Sequence, residues 1–403
     1  MSGTVHMLAA MSAVRIGVAD RRARLAVRHH LAPASRATDV AGLVRDLIAL
    51  HATDPASVYL ATWARVRGFQ VSRLDHALYE DRTLVRVLGM RRTMFVLPAE
   101  LVPVVLAACT RAIAVVERRK TVQFLSEAGF ADDVPAWLED VEKSTLAALA
   151  DRGEALSTEL SADVPRLAQQ MVLSRGKSYE GKQSIATRVL PLLAADGRVV
   201  RGRPRGSWLS TQYRWALTED WLPDGLADLP VEPSRVELAR RWLRAFGPAP
   251  VGDLKWWTGW SLGQTRAALS EIGPVEVDLD GVPGIALADD LEPAHGPQPY
   301  ALLLPALDPS VMGWSAREWF LCGHEKALFD TNGNAGPTVW WDGRIVGGWG
   351  QRKDGEVVYR LLEDVGSEAN AAVDAVAAEL DEWLGPVRVT QKFRTPLERE
   401  LTA

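Results

Sequence analysis

Apolar residues recur at helical spacing through the first part of the chain, and the pattern then switches to strand-like runs. In the helix that begins at Thr38, for example, Val44 and Leu47 fall on one face. Two apolar runs joined at 90–92 predict a hairpin. Helices followed by a two-stranded hairpin indicate a winged-helix unit. The elements predicted for this first unit are helices over 13–30, 38–48, 55–66 and 72–79, and strands over 84–89 and 93–97.

The same order of elements recurs twice more along the chain. A long helix from Pro98 to about Lys120 leads out of the first unit. The third repeat ends in a hairpin over 275–287, where Asp280 and Gly281 supply a turn between apolar residues. The other elements predicted for the second and third units are helices over 137–150, 156–161, 163–173, 184–195, 234–246, 251–258 and 261–272, and strands over 199–200 and 213–217.

The last quarter of the chain has a different pattern. A proline-rich linker over 288–299 precedes four strand-like runs and one helix, and Asp-Gly pairs mark two hairpin turns. We therefore predict an α+β protein of three tandem winged-helix units followed by a small C-terminal β-barrel-like domain, built as a barrel or curved sheet with a covering helix. The predicted boundaries are 13–120, 121–232, 233–290 and 298–403.

Composition places the chain among globular proteins. A chain of 403 residues is too long for a single typical hydrophobic core. Its content of 47% hydrophobic and 24% charged residues is ordinary for a globular protein. The most apolar stretch, from Leu101 to Val116, is interrupted by Pro103 and Arg111, which suits a packed helix. No signal peptide is evident, so we expect a cytoplasmic protein without a membrane segment.

Neither cysteine suggests a metal or a disulfide. Cys109 and Cys322 lie far apart and outside any CxxC or Cys/His cluster, so we expect two small buried residues. The adjacent His29 and His30 point different ways on a helix. We predict no metal site and no cofactor.

The net charge of −5 argues against a uniformly basic nucleic-acid-binding domain, although the position of the positive charge matters more. One run, 198–206, carries four arginines and no acidic residue between two predicted strands. At the tip of a wing such arginines either contact phosphate or form a solvated surface, and the sequence leaves both open.

The familiar catalytic motifs are missing. The chain has no Walker loop, no clean GxGxxG, no GxSxG elbow and no HExxH. Repeated winged helices without a cofactor motif suggest DNA, bound for regulation or held for chemistry on a base. The candidate for such chemistry is the break between two helices at 50–55, which aims His51 and Thr53 from rigid supports, while Asp54 is expected to cap the following helix with Pro55 at its first position.

Five segments, spread over most of the chain, resemble the AlkZ/YcaQ-type bacterial DNA glycosylases. The resemblance implies tandem winged-helix units and a C-terminal β domain around a C-shaped cleft for duplex DNA. Members of that family remove alkylated purines or unhook interstrand crosslinks, with a catalytic Gln-x-Gln or Gln-x-Asp that falls on His51 and Thr53 here. The segments are 47–55, 63–65, 88–93, 253–259 and 303–309.

The resemblance implies a monofunctional glycosylase for bulky or crosslinked N7-alkylpurines. A neutral His51 would position the hydrolytic water through its acceptor nitrogen, or act as a weak base, and Thr53 would assist. No lysine is assigned as a Schiff-base nucleophile. The partner is double-stranded DNA carrying alkylated purines, and we expect a monomer without an obligate protein partner. The residues predicted to contact DNA are Arg91, Arg92, Lys182, Gln183, Arg201, Arg203 and Arg205.

Two other functions fit the same scaffold. The replaced glutamines allow a non-enzymatic DNA-binding protein, in which His51 is a partly buried histidine bonded to backbone at a helix end. The acidic third wing and the net acidity allow winged helices that contact protein instead of DNA. DNA binding that depends steeply on salt would argue against the protein-contact function, because contacts to DNA phosphates release counterions. The sequence leaves open which lesion is preferred, and whether the role is general repair or self-protection.

Overall fold

The computed structural model describes residues 14–173, 181–222 and 225–403, which form a mixed α+β protein. Within these residues the α-helices, numbered α1 to α18 in chain order, are Val18–Arg28, Val40–Asp46, Pro55–Trp63, Val71–Tyr79, Val102–Val105, Arg111–Glu127, Val134–Arg152, Ser157–Asp163, Ala186–Ala195, Thr218–Trp221, Val231–Phe246, Val251–Thr258, Leu262–Ile272, Pro309–Met312, Glu318–Leu321, Glu325–Leu328, Gly366–Leu384 and Pro396–Leu401.

The strands of the same residues, numbered β1 to β15, are Val14–Arg15, Leu50–His51, Leu84–Leu88, Met94–Pro98, Glu154–Leu156, Gln170–Leu173, Gly181–Ser184, Val199–Pro204, Tyr213–Leu217, Val275–Asp278, Pro283–Ala286, Ala301–Leu304, Thr338–Trp341, Arg344–Gln351 and Val357–Leu361. Each predicted repeat therefore contains helices followed by a hairpin, namely β3–β4, β8–β9 and β10–β11.

The first two hairpins share one sheet. Its strand order is β2-β4-β3-β8-β9-β5, and the two hairpins meet where Arg86 of β3 pairs with Arg201 of β8. A hairpin has two unpaired edges, and pairing them with a neighbouring hairpin satisfies backbone groups that would otherwise be exposed. The sequence pattern predicted both hairpins but not their union, because strand pairing depends on residues over a hundred positions apart.

Two segments predicted as helix contain strands. Residues 13–30 were expected to be helical, but β1 pairs in parallel with β10 before α1 begins at Val18. Residues 163–173 were also expected to be helical, but a short 3-10 turn at Pro165–Ala168 leads into β6, which pairs with β7. Short polar strands such as β7 lack the apolar alternation that identifies a strand in sequence.

The C-terminal sheet is open. Its order is β12-β13-β14-β15, all antiparallel, and the edge strands β12 and β15 are not paired with each other. The predicted barrel is therefore wrong for this region, and the alternative of a sheet covered by a helix describes it: α17 packs against β12 and β15. Four short strands are too few to close around a core of side chains.

A long helical segment, Ala99–Glu127, follows β4. It includes α5, a π-helical turn at Leu106–Thr110 and α6. By length and by a mean hydropathy of 1.9 it is the one helix of the described residues that could cross a membrane, but half of its most apolar window is buried inside the protein. Cys109 lies in the buried part, as predicted, whereas Cys322 is exposed, contrary to the prediction.

Candidate functional site

The turn between β2 and α3 holds the two residues singled out in the sequence. His51 ends β2 and pairs with Phe95 of β4, and the Ala52 amide donates to the Met94 carbonyl at 2.8 Å. Asp54 caps α3 by accepting from the Ala56 amide at 3.1 Å, and Pro55 is the first residue of the helix, as predicted. The turn is therefore fixed by a sheet on one side and by a capped helix on the other.

His51 is a buried neutral imidazole. Its residue is 8% exposed, and its ring packs edge-to-face on Phe95 with centroids 5.4 Å apart. Among the described residues neither ring nitrogen has a hydrogen-bond partner, and Nδ1 is fully buried. Burial, together with the positive charge of Arg91, lowers the pKa of His51 to about 3. The ring is therefore uncharged at pH 7 and retains one unused acceptor nitrogen.

The C-terminal segment contacts the other side of the same turn. The Lys392 amide donates to Asp54 Oδ2 at 3.0 Å, and Lys392 Nζ lies 3.4 Å from the Thr53 carbonyl oxygen. Burial raises the pKa of Asp54, and the hydrogen bonds from the Lys392 and Ala56 amides oppose this. Both Asp54 oxygens are thus engaged by backbone amides. Asp54 therefore caps α3 and also binds the C-terminal segment. The Thr53 hydroxyl, by contrast, is partly exposed and has no hydrogen-bond partner among the described residues.

Arg91 and Arg92 lie in the tight turn between β3 and β4, as predicted. Both adopt left-handed backbone conformations, with φ of 51° and 60°, and the turn is closed by the Thr93 amide donating to the Met90 carbonyl at 3.0 Å. Such conformations cost about 1–2 kcal/mol in residues other than glycine. Strained residues of this kind cluster at functional sites, which makes the turn a candidate contact surface.

The Arg91 guanidinium stacks on Trp256 of α12 at 3.9 Å from the ring centroid. Gly259 ends that helix at φ 78°, and a Cβ there would lie 3.1 Å from Arg91 Cγ, so glycine allows the close approach. Arg317 lies over the same Trp256 ring at 5.0 Å. Burial first, and then the charge of Arg91, lowers the pKa of Arg317 to about 10. Two arginines therefore share one aromatic ring near His51.

A cavity of about 470 Å³ opens beside Arg91. Its basic residues outnumber its one acid, Glu117, which already pairs with Arg92 at 2.9 Å and with Lys120 at 3.1 Å. Arg235 has a buried Nε without a hydrogen-bond partner among the described residues. The cavity is thus positive, with an apolar wall. The lining residues that set this character are Arg91, Arg92, Lys120, Arg235, Ile113, Val116 and Trp260.

The predicted basic run at 198–206 is mostly strand. β8 extends to Pro204, so Arg201 is partly buried within the sheet rather than at a wing tip. Arg203 is exposed but pairs with Asp75 at 3.5 Å and with Glu80 at 3.3 Å. Arg205 is exposed beyond the strand end. The strand is longer than predicted because the pairing with β9 shifts register after Arg201 and resumes at Pro204, and such an irregularity leaves no apolar alternation in the sequence.

Lys182 and Gln183 do not begin a recognition helix. They lie in β7, opposite Val172 and Met171 of β6, and α9 begins only at Ala186. Both side chains are exposed, so they remain available as surface groups but without a helix N-terminus behind them. The predicted loop over 174–182 lies largely outside the described residues.

Several residues of the site had no sequence signal. Lys392 sits in a short tail, and Arg317 and Arg235 are single arginines in unremarkable surroundings. A stacking arginine is identifiable only once the aromatic ring it covers is known in space. Within the described ranges, His, Cys, Asp and Glu side chains form no group of three or more that could hold a metal ion.

Comparison with known proteins identifies the family. A family model described as "DNA glycosylase AlkZ-like" matches residues 44–384, which is most of the chain. The fold is similar to that of Streptomyces sahachiroi DNA glycosylase AlkZ, with a TM-score of 0.69 and 20% identity over 93% of this chain and 98% of that chain. No curated protein matches. The resemblance found in the sequence is confirmed, and this chain belongs to the AlkZ-like DNA glycosylase family.

Proposed function

We propose that this protein is a monofunctional DNA glycosylase that hydrolyses the N-glycosidic bond of bulky or crosslinked N7-alkylpurines in duplex DNA. The observation that carries the proposal is the neutral, unpaired imidazole of His51 at the end of β2. The family resemblance found in the sequence implies that His51 stands in for the catalytic glutamine. The three helix-and-hairpin repeats act as tandem winged-helix units within 13–120, 121–232 and 233–290, and with residues 298–403 they surround a C-shaped cleft that one chain can close on a duplex as a monomer.

The chemistry demands little from the protein. An N7-alkylated purine carries a positive charge, so it leaves C1′ with the bonding electrons without first being protonated. Water then adds to the oxocarbenium-like carbon, and its proton passes to solvent. What the enzyme must supply is a water molecule aimed at C1′, a role that needs a hydrogen-bond acceptor in a fixed position.

His51 can accept that hydrogen bond but cannot take the proton. With a pKa of about 3, the ring is a far weaker base than an ordinary histidine, which narrows its role to positioning. A glutamine carbonyl is likewise an acceptor that does not titrate. Thr53, two residues on and partly exposed, can hold the same water from a second direction. The His-x-Thr turn thus supplies the same chemical function as the family's Gln-x-Gln by different groups.

The DNA-contacting surface centres on the turn between β3 and β4. Arg91 and Arg92 line the positive cavity, and the charge of Arg91 also acts on His51. Lys120 of α6 and Arg235 of α11 complete the basic lining. Arg201 and Arg205, with Lys182 and Gln183, extend the predicted contacts to the second repeat. Arg203 contributes less because two carboxylates already pair with it. Concentrating positive charge here allows duplex binding despite the net charge of −5.

The test is release of N7-alkylguanine from duplex DNA carrying a methyl adduct, a bulky adduct or an interstrand crosslink. We expect His51→Ala to lower release of the preferred lesion by at least about 100-fold, which is the lower range for a positioned catalytic group. Its affinity for the duplex should stay within about threefold of wild type. His76→Ala is the matched control, since His76 is exposed and pairs with Glu80 and Asp81 away from the turn.

Two outcomes would count against the proposal. Tight duplex binding without release of any of the three lesions would favour a non-enzymatic DNA-binding protein, with His51 a structural residue. Trapping of a covalent complex with borohydride would contradict the monofunctional mechanism, because it requires a lysine Schiff base.

A further inference from the structure

Arg86, at the centre of β3, is a buried cation without a counterion. Its residue is 2% exposed, and no carboxylate among the described residues lies within ion-pair distance. Its Nε and Nη1 are buried and have no hydrogen-bond partner. Its guanidinium lies over the Tyr213 ring at 4.8 Å, and the Tyr213 hydroxyl is also buried without a partner. Burial lowers the pKa of Arg86, but the phenols of Tyr213, Tyr79 and Tyr59 around it hold that pKa above its ordinary value. None of these phenols is charged at neutral pH, so the buried guanidinium still lacks an anion.

A second arginine lies directly opposite Arg86 on the neighbouring strand. Arg86 pairs with Arg201 of β8 in the ladder, so the two side chains project from the same face. Arg201 forms no ion pair with a described residue and lies over Tyr213 at 5.6 Å and Trp215 at 5.1 Å. Like charges directly opposite each other on a sheet are destabilising. Burial, and in addition the charge of Arg86, keeps the pKa of Arg201 below its ordinary value.

Arg201 opens into a cavity of about 260 Å³ between α6, α9 and this face of the sheet. Arg188 of α9 and Arg92 also line the cavity, and Glu117 is its only acid. Glu117 is already engaged by Arg92 and Lys120. Arg188 has no ion-pair partner among described residues and lies over Phe124 at 5.8 Å. Three arginines therefore line the cavity, namely Arg92, Arg188 and Arg201. The buried Arg86 is the ladder partner of Arg201.

We infer that this cavity is a binding site for one phosphate group of the DNA backbone, held by Arg201 and Arg188 and supported by the uncompensated charge of Arg86. Guanidinium groups match the oxygens of a phosphate, and a phosphodiester brings the negative charge that the protein does not provide. Met94, whose carbonyl accepts the Ala52 amide, also lines the cavity. One strand thus connects the phosphate site to the turn that holds His51.

This inference rests on the proposed function only in taking DNA as the source of the phosphate. The alternative source is free phosphate, and two experiments separate them. The first measures the melting temperature in sodium phosphate against sodium chloride of equal ionic strength. We expect phosphate to raise the melting temperature of the wild type by about 2 °C or more. Arg201→Gln and Arg188→Gln should lose most of this increase.

Arg86→Met separates an anion site from a structural arginine. Methionine fills similar space without a charge, so in chloride the variant should melt at the wild-type temperature or above it. It should also lose the response to phosphate, although Arg86 itself is too buried to touch the ion. A variant that melts lower in chloride and keeps the phosphate response would show that Arg86 is structural, which would overturn the inference.

The second experiment measures binding to an undamaged duplex as a function of salt. Arg201→Gln should reduce the slope of log K against log[salt] by about 1, as expected for one lost phosphate contact. Arg352→Gln is the matched control, because Arg352 is an exposed arginine that already pairs with Glu356. A phosphate response without any change in slope would overturn the assignment to DNA. Neither experiment depends on base release, so absence of glycosylase activity would leave this site standing.

Discussion

At the scale of the residue, the proposed role of His51 in place of the family's glutamine depends on burial. An ordinary histidine titrates near pH 6.5 and would change charge where the enzyme has to work. Burial of His51 on the Phe95 ring, with Arg91 nearby, keeps the imidazole neutral. The sequence identified His51 as the candidate and allowed it a role as a weak base. It could not reveal the pKa, because the desolvation comes from β4, which is distant in sequence.

The depressed pKa of His51 predicts a pH dependence of stability. The unfolded chain binds a proton at His51 near pH 6.5, whereas the folded protein binds it only near pH 3. The contribution is therefore fully present above about pH 6.5 and is lost as the pH falls toward 3. At pH 5 the loss is about 2 kcal/mol. His51→Gln should be less sensitive to acid than the wild type by this amount, measured by urea unfolding at pH 7 and pH 5.

The pH dependence of base release is an independent test of the protonation state of His51. The rate at saturating lesion DNA should show no inflection caused by His51 between about pH 5.5 and 8 in the wild type, because the imidazole stays neutral throughout this range. An inflection near pH 6.5 that disappears in His51→Gln would mean that the ring is solvated and acts as a general base. That result would contradict the buried state of His51.

At the scale of the element, the site depends on the junction of a strand, a helix and a distant tail. The capped start of α3 was predictable, since Asp54 and Pro55 are local signals. The hairpin with Arg91 and Arg92 at its turn was also predictable from two apolar runs. The contact from Lys392 was not, because it lies 338 residues from Asp54 and uses a backbone amide that any residue except proline carries.

If the proposed function holds, this contact predicts that the backbone amide at position 392 positions the turn that carries His51. Lys392→Pro removes the donor to Asp54, whereas Lys392→Ala keeps the amide and removes only the exposed amine. A hydrogen bond to a charged group contributes about 1.5–3 kcal/mol, so the proline variant should release base about 10- to 100-fold more slowly than the alanine variant. Single-turnover rates of both variants, with duplex affinity measured beside them, provide the comparison.

Separate measurements of the rate constant and of the duplex affinity distinguish a positioning role of residue 392 from a role in DNA binding. Lys392→Pro should change the position of the turn that carries His51. It should therefore lower the rate constant at saturating DNA, while its affinity for the duplex stays close to that of Lys392→Ala. Equal rates for the two variants would mean that β2 and the cap of α3 hold the turn without the tail. A lower affinity in both variants would instead assign Lys392 Nζ to phosphate contact.

At the scale of the whole molecule, the segments that carry the family resemblance meet in the core. Arg65, just after α3, forms a fully buried two-pronged ion pair with Asp308, at 2.8 and 2.6 Å, across 243 residues. Arg65 also donates to the Ser310 hydroxyl, which contacts His29. Periodicity predicted most helices and hairpins, because those are local. It could not predict the shared six-stranded sheet or this ion pair, because both depend on long-range pairing.

The ion pair predicts strong coupling between the N-terminal helices and the C-terminal sheet region. Arg65→Met leaves the Asp308 carboxylate buried without its partner, and breaking such a pair costs about 3–5 kcal/mol. Replacing both residues, as Arg65→Met with Asp308→Leu, should cost less than the sum of the two single changes, although the loss of the Asp308 cap on α14 leaves a residual deficit. Arg15→Met is the control: its pair with Asp280 is largely exposed, so the free energy of unfolding should stay close to that of the wild type. Additive losses in the double variant, measured by urea unfolding, would mean that Arg65 and Asp308 stabilise their own segments separately. The N-terminal helices and the C-terminal region would then be held together by other contacts, such as the hydrogen bond from the Lys392 amide to Asp54.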